Sequence, residues 1–218
     1  MLVHEQLLQK CISHYTRHDW PALPGRTNHL DAGVLVPILA DEAWTCILTR
    51  RTAHLRTHSK EICFPGGKPD PTDKDLQETA TREAKEELAL NGGKVLAKLS
   101  SVPLYTSDYR LHPFLTLFSK NTAINANPVE VADILPISLR SMLGLSFLDG
   151  AEFELDGKIY LSPIFIPSKV GISIEQPIYG GTAHVLYETM ILVSQAIGVK
   201  VPPVRATFDQ FPFVHTIN

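Results

Sequence analysis

The stretch FPGGKPDPTDKDLQETATREAKEELAL, residues 64–90, decides how the fold of this chain is interpreted. Its first part, Pro-Gly-Gly with further prolines, favours turns and lets the backbone approach a ligand or metal closely. Its second part carries small and aliphatic residues at helical spacing, which form one apolar stripe: Leu76, Ala80, Ala84 and Leu88. The pattern predicts a loop over residues 52–73 that leads into a helix over residues 73–90.

Three glutamates are the most informative polar residues of this helix: Glu83, Glu86 and Glu87. At ~100° per residue, Glu87 falls inside the apolar stripe and Glu83 at its edge, whereas Glu86 lies farther round. A carboxylate on the core side is costly unless it is paired or bound to metal, and Glu83 and Glu87 repel each other one turn apart. Because Mg²⁺ and Mn²⁺ prefer oxygen ligands and act beside phosphates, the spacing indicates a cation and phosphate site. A solvated, charged helix face is the alternative interpretation of the glutamates alone.

The same segment resembles the Nudix box, G-x5-E-x7-R-E-U-x-E-E-x-G-U, where U is an aliphatic residue. The chain matches the box at Gly67, Arg82, Glu83, Ala84, Glu86, Glu87 and Leu90. Asp73 stands where the first glutamate belongs, and eight residues rather than seven separate it from Arg82. Ala89 replaces the closing glycine, and we expect Gly92 and Gly93 to supply the left-handed helix end a turn later.

A second resemblance lies just upstream, to the coenzyme A diphosphatases of this superfamily. Their signature is L-L-T-x-R-[SA]-x3-R-x3-G-x3-F-P-G-G, and the chain matches it at Leu48, Thr49, Arg51, Arg56 and the whole of Phe64-Pro65-Gly66-Gly67. Ile47 and Thr52 are mild replacements, whereas Lys60 occupies the glycine position. If that glycine has a positive φ in the family, Lys60 is strained there or the loop has a different shape.

The resemblance implies a set of functional residues. It implies that Mg²⁺ or Mn²⁺ is held by Glu83, Glu86, Glu87 and the carbonyl of Gly67, and that these glutamates and Arg82 form the catalytic group. It also implies a substrate-binding group made of Arg51, Arg56, Gly66, Gly67 and Lys68. We expect Arg82 to orient a glutamate by bidentate pairing, with Glu78 a candidate partner besides Glu83. Glu83 and Glu130 are both candidates for the general base.

Three functions remain open on the residues. The first is metal-dependent hydrolysis of the diphosphate bond of coenzyme A or its derivatives, which yields adenosine 3′,5′-bisphosphate and (acyl-)4′-phosphopantetheine. The second is a Nudix pyrophosphatase that acts on ADP-ribose or another nucleoside diphosphate derivative. The third is a Nudix-fold binding or regulatory protein without turnover. The intact set of Arg82 and three glutamates argues against the third function.

Composition and charge limit the other classes of function. The chain has 218 residues, 44% hydrophobic, and a net charge of −3, so it lacks the broad basic field that a nucleic-acid partner requires. No signal peptide and no apolar run of ~18 residues is evident, and we therefore expect a cytoplasmic protein without a membrane partner. We expect one Nudix domain over residues 1–218, with a core over about 32–197; a homodimer is left open.

The rest of the chain predicts an α/β protein, and the resemblance implies a three-layer α/β/α sandwich with a mixed sheet. We expect helices over residues 2–16, 139–143 and 181–197, and strands over 33–39, 44–50, 94–102, 114–119 and 129–134. Asp156-Gly157 predicts a hairpin turn between short strands. Tyr105, Tyr109 and His112 are expected in a loop, and the tail after residue 197 as a loop or a packed extended arm.

Overall fold

The structure is a computed structural model that describes residues 1–53, 61–155 and 157–208. Arg56 and Lys60, two positions of the upstream motif, lie outside the described residues, and so does Asp156 of the predicted hairpin turn. Within the described residues, no helix is both long and apolar enough to cross a membrane.

Helices are interspersed with runs of strands along the described chain. The helices are α1 (Leu2–Ile12), α2 (Leu76–Leu88), α3 (Leu139–Leu143), α4 (Pro167–Val170) and α5 (Gly180–Ile197). The first strands are β1 (Leu30–Leu39), β2 (Thr45–Arg51), β3 (Ile62–Cys63), β4 (Gly66–Gly67), β5 (Lys94–Lys98) and β6 (Val102–Pro103). The later strands are β7 (Tyr109–Phe118), β8 (Val131–Ser138), β9 (Leu148–Leu155), β10 (Lys158–Ile164) and β11 (Val204–Phe208).

The main sheet has the mixed pairing that the resemblance implies. Its path runs β3-β2-β1-β7-β5, with β8 beside β2, β4 beside β1 and β6 beside β7. Strands β1 and β7 are parallel over their whole length, whereas the other pairs are antiparallel. Helix α2 packs on one face, and α1 and α5 pack on the side of the other core cluster. The predicted three-layer α/β/α arrangement is therefore confirmed.

A smaller sheet, β10-β9-β11, follows the main one in the chain. Strands β9 and β10 pair from Leu155 and Lys158 onward, so the predicted hairpin is confirmed in its strands. Strand β11 pairs in parallel with β9. Of the two alternatives for the tail, Val204–Phe208 therefore takes the packed, extended one.

Several element boundaries differ from the predictions because tertiary pairing overrides local pattern. Helix α1 ends at Ile12 rather than at residue 16, and the predicted strand 94–102 is divided into β5 and β6. Tyr109 and His112 belong to strand β7 and not to a loop, because their backbones pair with β1 at Leu30 and Gly33. Pro113, a residue depleted in strands, and the charged or polar residues Arg110 and His112 hid the beginning of this strand from the alternation pattern.

Helix α2 is shorter than predicted because its first turn is capped by a side chain. Asp75 is the N-cap, and its carboxylate accepts a hydrogen bond from the backbone N–H of Glu78. At the other end Ala89 itself adopts the left-handed conformation, with φ 55° and ψ 23°. The expectation that Gly92 and Gly93 would supply this conformation is wrong, because the helix already ends at Ala89.

Close packing at a glycine sets the distance between α2 and the sheet. A Cβ atom on Gly33 of β1 would lie 2.3 Å from the carbonyl oxygen of Leu76 and 3.1 Å from the backbone nitrogen of Ala80. Only glycine permits this approach. Because β4 lies beside β1 at the same position, the approach also brings the glutamates of α2 over the Pro-Gly-Gly turn.

Candidate active site

Glu87 is the most deeply buried acid of the site. It is 1% exposed, and one carboxylate oxygen, Oε1, lies 3.2 Å from Nη1 of Arg51 on strand β2. The other oxygen, Oε2, is buried and has no hydrogen-bond partner within the described residues. The predicted placement of Glu87 on the core side of the helix is thus confirmed, and a buried acceptor is left for a ligand.

The electrostatic surroundings of Glu87 are unusual for a carboxylate. Burial raises its pKa to about 7; the charge of Arg51 opposes this rise, and the charges of Glu83 and Glu130 add to it. A cation close to this group would restore its ionised form, because an opposite charge lowers the pKa of a carboxyl group.

Glu83 lies directly on the glycine turn. A Cβ atom on Gly67 would lie 2.5 Å from the Glu83 carboxyl carbon, so the carboxyl group occupies the space that any other residue at position 67 would fill. Burial raises the pKa of Glu83, and the neighbouring Arg82 opposes that shift. Gly67 therefore places its backbone beside a partly buried carboxylate, as a metal site formed from both groups requires.

Arg82 connects the loop and the helix; it contacts Glu83, one of the two expected partners, but its bidentate partner is Asp73. Its Nε and Nη2 each lie 3.0 Å from one oxygen of Asp73, which is the bidentate pairing. Nη1 contacts Glu83 at 3.0 Å and Glu86 at 3.1 Å. Glu78 instead accepts from the backbone of Lys74 and pairs with its side chain, so the expected pairing of Glu78 with Arg82 is wrong.

Glu86 is the most exposed of the three box glutamates, with 53% of its side chain accessible. In the residues that the structure covers, no three His, Cys, Asp or Glu side chains converge as a preformed metal site. Nη1 of Arg82 contacts both Glu83 and Glu86. Glu83 faces the glycine turn, Glu87 faces Arg51, and Glu86 faces solvent.

The residues expected to bind substrate lie on the same side of the sheet as far as they are described. Arg51 contacts Glu87, and its buried Nε has no partner in the described part of the chain. Lys68 is exposed; its Nζ lies 5.2 Å from the ring centroid of Tyr109, and its carbonyl oxygen accepts a hydrogen bond from Nη2 of Arg82. Gly66 packs against Val34 so closely that a Cβ atom would clash. Arg56 lies outside the described residues.

The loop between β7 and β8 brings Glu130 toward these acids. The backbone N–H of Asn127 donates to the carbonyl oxygen of Glu87 at 2.8 Å, so the loop covers the last turn of α2. Thr52 then binds the carbonyl oxygen of Glu130 at 3.0 Å. The negative charge of Glu130 contributes to the raised pKa of both Glu83 and Glu87, and the candidate base is therefore close to the site.

A family comparison decides the identity of this arrangement. A model of the NUDIX domain matches residues 29–139, just over half of the chain. The chain belongs to the Nudix family.

Relatives with the Nudix name support this membership. The chain is 39% identical over 139 residues to an uncharacterized Nudix hydrolase NudL from Yersinia enterocolitica, covering 62% of this chain and 71% of the relative. It is 40% identical over 137 residues to the protein of the same name from Yersinia pestis, covering 60% and 68%. The MutT protein from Methanosarcina mazei Go1 is a partly similar solved structure: TM-score 0.42, 21% identity, 53% of this chain and 81% of that one covered. The family and the relatives identify a hydrolase.

Nudix hydrolases generally use divalent metal ions, and the residues of this Nudix chain fit one. The available donors are carboxylate oxygens and a glycine carbonyl, which are hard oxygen ligands. Oε2 of Glu87 is one of these donors and has no partner within the described residues, and the lack of a side chain at Gly67 lets the Glu83 carboxylate lie against its backbone.

Two residues of this Nudix site were not identified as site residues from the sequence. Asp73 holds Arg82, and its position where the box has its first glutamate is a signal that could have indicated this role. Gly33 admits α2 to the sheet, and no local pattern reveals it, because its neighbour across the packing is more than forty residues away in the chain.

Proposed function

We propose that this Nudix hydrolase cleaves the diphosphate bond of coenzyme A or its derivatives to adenosine 3′,5′-bisphosphate and (acyl-)4′-phosphopantetheine. The observation that carries the proposal is the pair formed by Arg51 and Glu87. Arg51 comes from the coenzyme A diphosphatase-like motif and Glu87 from the box, and they are 3.2 Å apart. Each presents one buried polar atom without a partner in the described residues, a donor on Arg51 and an acceptor on Glu87.

The unpartnered atoms of Arg51 and Glu87 suit ligand groups of opposite charge. Nε of Arg51 is a fixed N–H donor, and arginine is well suited to phosphate oxygens. Oε2 of Glu87 is an acceptor for a cation. A substrate diphosphate with its counter-ion supplies both partners, so the pair fits a metal-bound diphosphate better than a neutral ligand.

The other residues of the site have further roles in the proposal. Glu83, Glu86, Glu87 and the carbonyl of Gly67 would hold the metal, which supplies charge neutralisation of the diphosphate and a lower pKa for a water ligand. The Asp73–Arg82 pairing fixes the guanidinium that contacts Glu83 and Glu86. Arg51, Lys68 and Arg56 form the phosphate-binding group of the proposal.

Two carboxylates are close enough to the site to accept the proton of the attacking water. Glu83 lies on the glycine turn, and Glu130 is carried in by its loop. Their pH–rate profiles separate the two assignments, because only the variant of the true base loses the acidic limb of kcat/KM. Glu83→Gln and Glu130→Gln are the variants to compare.

A substrate panel tests the proposal. The chain is incubated with Mg²⁺ or Mn²⁺ and coenzyme A, dephospho-coenzyme A, ADP-ribose, NADH or a diadenosine polyphosphate, and the products are resolved. We expect coenzyme A to have the highest kcat/KM and to yield adenosine 3′,5′-bisphosphate. A preference for ADP-ribose of about tenfold, ~1.4 kcal/mol, would refute the proposal in favour of a general nucleoside diphosphate pyrophosphatase. Equal rates for coenzyme A and its dephospho form would show that the 3′-phosphate contributes nothing to recognition.

A further inference from the structure

A cavity of about 510 Å³ opens on the α5 side of the main sheet. Its volume lies within the range of small-molecule pockets, roughly 300–1,000 Å³. Its walls are mostly apolar and aromatic, and they include Trp20, Ile62, Val102, Leu104 and Phe153. Ile62 and Val102 also belong to the core cluster under α5, whereas Ala80 and Ala84 of α2 belong to the other cluster. We call this cavity the aromatic pocket.

The aromatic pocket and the active site share structural elements. Ile62 of strand β3 lines the pocket, and so does the preceding residue, Glu61. The carbonyl oxygen of Glu61 accepts a hydrogen bond from the backbone N–H of Arg51 at 3.0 Å. On the other side, Leu104 lines the pocket, and its N–H donates to the carbonyl oxygen of Tyr109 at 2.9 Å. The ring of Tyr109 lies under the ammonium group of Lys68. The active site and the aromatic pocket therefore adjoin the same segments of the chain, next to β3 and next to the beginning of β7.

The charged residues described in the pocket lining are all acidic, whereas the site combines acids with arginine and lysine. The described lining of the pocket includes three glutamates, Glu61, Glu152 and Glu154, and neither a lysine nor an arginine. The cations Arg51 and Lys68 belong to the α2 side. Phosphate groups are accordingly repelled from the pocket and attracted to the site.

Besides these glutamates, the pocket lining carries neutral polar groups. Nε2 of His184 lies 3.0 Å from the hydroxyl oxygen of Ser162, and burial lowers the pKa of His184 to about 4. Thr182 donates its hydroxyl to the carbonyl oxygen of Ile62 at 3.1 Å. Such a wall accepts apolar chains and neutral amides, and it offers no ionic partner to an anion.

We propose that the aromatic pocket binds the neutral arm of the substrate, namely the amide chain of pantetheine and an acyl group carried on its thiol. The proposal rests on the proposed function for the identity of the arm. The phosphates stay with Arg51 on the α2 side, and the arm passes β3 to the α5 side. The enzyme then favours acylated coenzyme A over the free thiol, and longer neutral chains over shorter ones.

Binding of arms without any phosphate tests the pocket directly. S-butanoyl-, S-hexanoyl- and S-octanoyl-pantetheine are titrated into the protein by calorimetry. We expect Kd to fall about threefold to fourfold for each added methylene, as burial of apolar surface predicts. S-glutaryl-pantetheine, which ends in a carboxylate, should bind at least about tenfold more weakly than the S-pentanoyl compound, since the charged residues in the described part of the lining are all acidic.

A pair of matched variants locates the binding. Leu104→Trp fills the pocket from its half-buried wall, and Leu161→Trp makes the same change at an exposed residue of β10 outside the lining. Leu104→Trp should abolish the dependence of Kd on chain length, and Leu161→Trp should retain it.

A wild-type Kd that is independent of chain length, or stronger binding of the glutaryl compound, overturns the proposal without any variant. So does chain-length dependence that survives Leu104→Trp in a protein with wild-type melting behaviour. The substrate panel decides separately whether coenzyme A is cleaved. Cleavage of coenzyme A without chain-length dependence refutes only the pocket assignment, and chain-length dependence with a preference for ADP-ribose refutes only the coenzyme A assignment.

Discussion

The two faces of the main sheet differ in chemistry at the end where β1 begins. On the α2 face, acids and arginines bind each other directly, as Arg51 binds Glu87 and Arg82 binds Asp73. On the α5 face, aromatic side chains surround a neutral histidine, with Trp20 5.2 Å from the ring of His184. The first face can bind an anionic group and its counter-ion, whereas the described lining of the second offers no cation to an anion. The difference assigns opposite ends of one substrate to opposite faces.

The buried charge on the α2 face is not explained by stability. A buried ion pair returns little net free energy of folding, because removing two charges from water costs about as much as their attraction supplies. Glu87 is 1% exposed and leaves one oxygen without a described partner, so it is a poor choice for stability alone. A ligand that binds the carboxylate explains the presence of a glutamate at this position better than stability does.

The largest effect is expected for Glu87→Gln. If Glu87 holds the metal, loss of its charge should lower kcat at saturating Mg²⁺ by at least about 100-fold. The amide retains the shape of the side chain and an acceptor for Arg51, so the melting temperature should change little. Steady-state rates and thermal melts of the same preparation measure both quantities.

Glu78→Gln is the matched control, because Glu78 lies on the same helix but pairs with Lys74. Its rate should stay within about twofold of wild type, as expected for an exposed charge far from the chemistry. A wild-type rate in Glu87→Gln would end the metal assignment and, with it, the contrast between the two faces.

The next effect concerns the α5 face and the pH dependence of stability. The folded pKa of His184 is about 4, below the value of about 6.5 expected in the unfolded chain. Between these values the unfolded chain binds a proton that the folded chain does not, so the free energy of unfolding falls as pH drops from 6.5 to 4. The shift corresponds to a loss of up to about 3 kcal/mol, complete near pH 4.

Urea titrations of wild type and His184→Gln from pH 4 to pH 7 measure this loss. The variant keeps a polar partner for Ser162 but lacks the titrating ring, so its stability should fall less over that interval. His18→Gln, at an exposed position, is the control and should retain the wild-type profile. Identical profiles for wild type and His184→Gln would show that the histidine is not held neutral by the pocket.

The sequence predicted the α2 face better than the α5 face. The position of Glu87 follows from helical spacing alone, because a regular helix fixes which residues share a side. The aromatic pocket does not, since Trp20, Leu104 and Phe153 come from distant parts of the chain and meet only through sheet pairing. Likewise Tyr109 was assigned to a loop, because only its pairing with β1 makes it a strand.

Within the box, the bidentate partner of Arg82 was not predicted, for a related reason. Spacing of four residues favoured Glu78, a rule that holds for residues inside one helix. The actual partner, Asp73, precedes the helix, and the turn before the Asp75 cap folds it back to the guanidinium. The chain path through such a turn is not periodic, and periodicity therefore gives no account of it.

A smaller effect is expected for Asp73→Asn, which tests whether the α2 face depends on this pairing. Arg82 holds the pKa of Asp73 well below its usual range, so the carboxylate is ionised at all working pH values. The amide cannot accept two charge-assisted hydrogen bonds from Nε and Nη2, and Arg82 then loses its fixed orientation. Groups that orient metal ligands are typically worth about 10- to 100-fold, and we expect kcat/KM to fall by about tenfold.

Asp73→Glu keeps the charge and introduces the residue that the family box has at this position, and its loss should be smaller than that of Asp73→Asn. The two rates, compared with an unchanged melting temperature, separate a positioning role from general damage. Equal losses in both variants would show that the length of the side chain matters as much as its charge.

The smallest effect is expected at the end of α2. Ala89 adopts a left-handed conformation, which costs a residue with a Cβ atom roughly 1–2 kcal/mol, whereas glycine adopts it without this strain. Glycine also gives the unfolded chain more freedom, which offsets about 0.4–1 kcal/mol, so Ala89→Gly should stabilise the protein by about 1 kcal/mol or slightly less. Urea unfolding measures the gain, and kcat should not change, because the cap lies beyond the glutamates. Destabilisation by Ala89→Gly would show that the methyl group of Ala89 contributes packing that outweighs its strain, and the departure from the family's glycine would then be a stabilising feature of the α2 face.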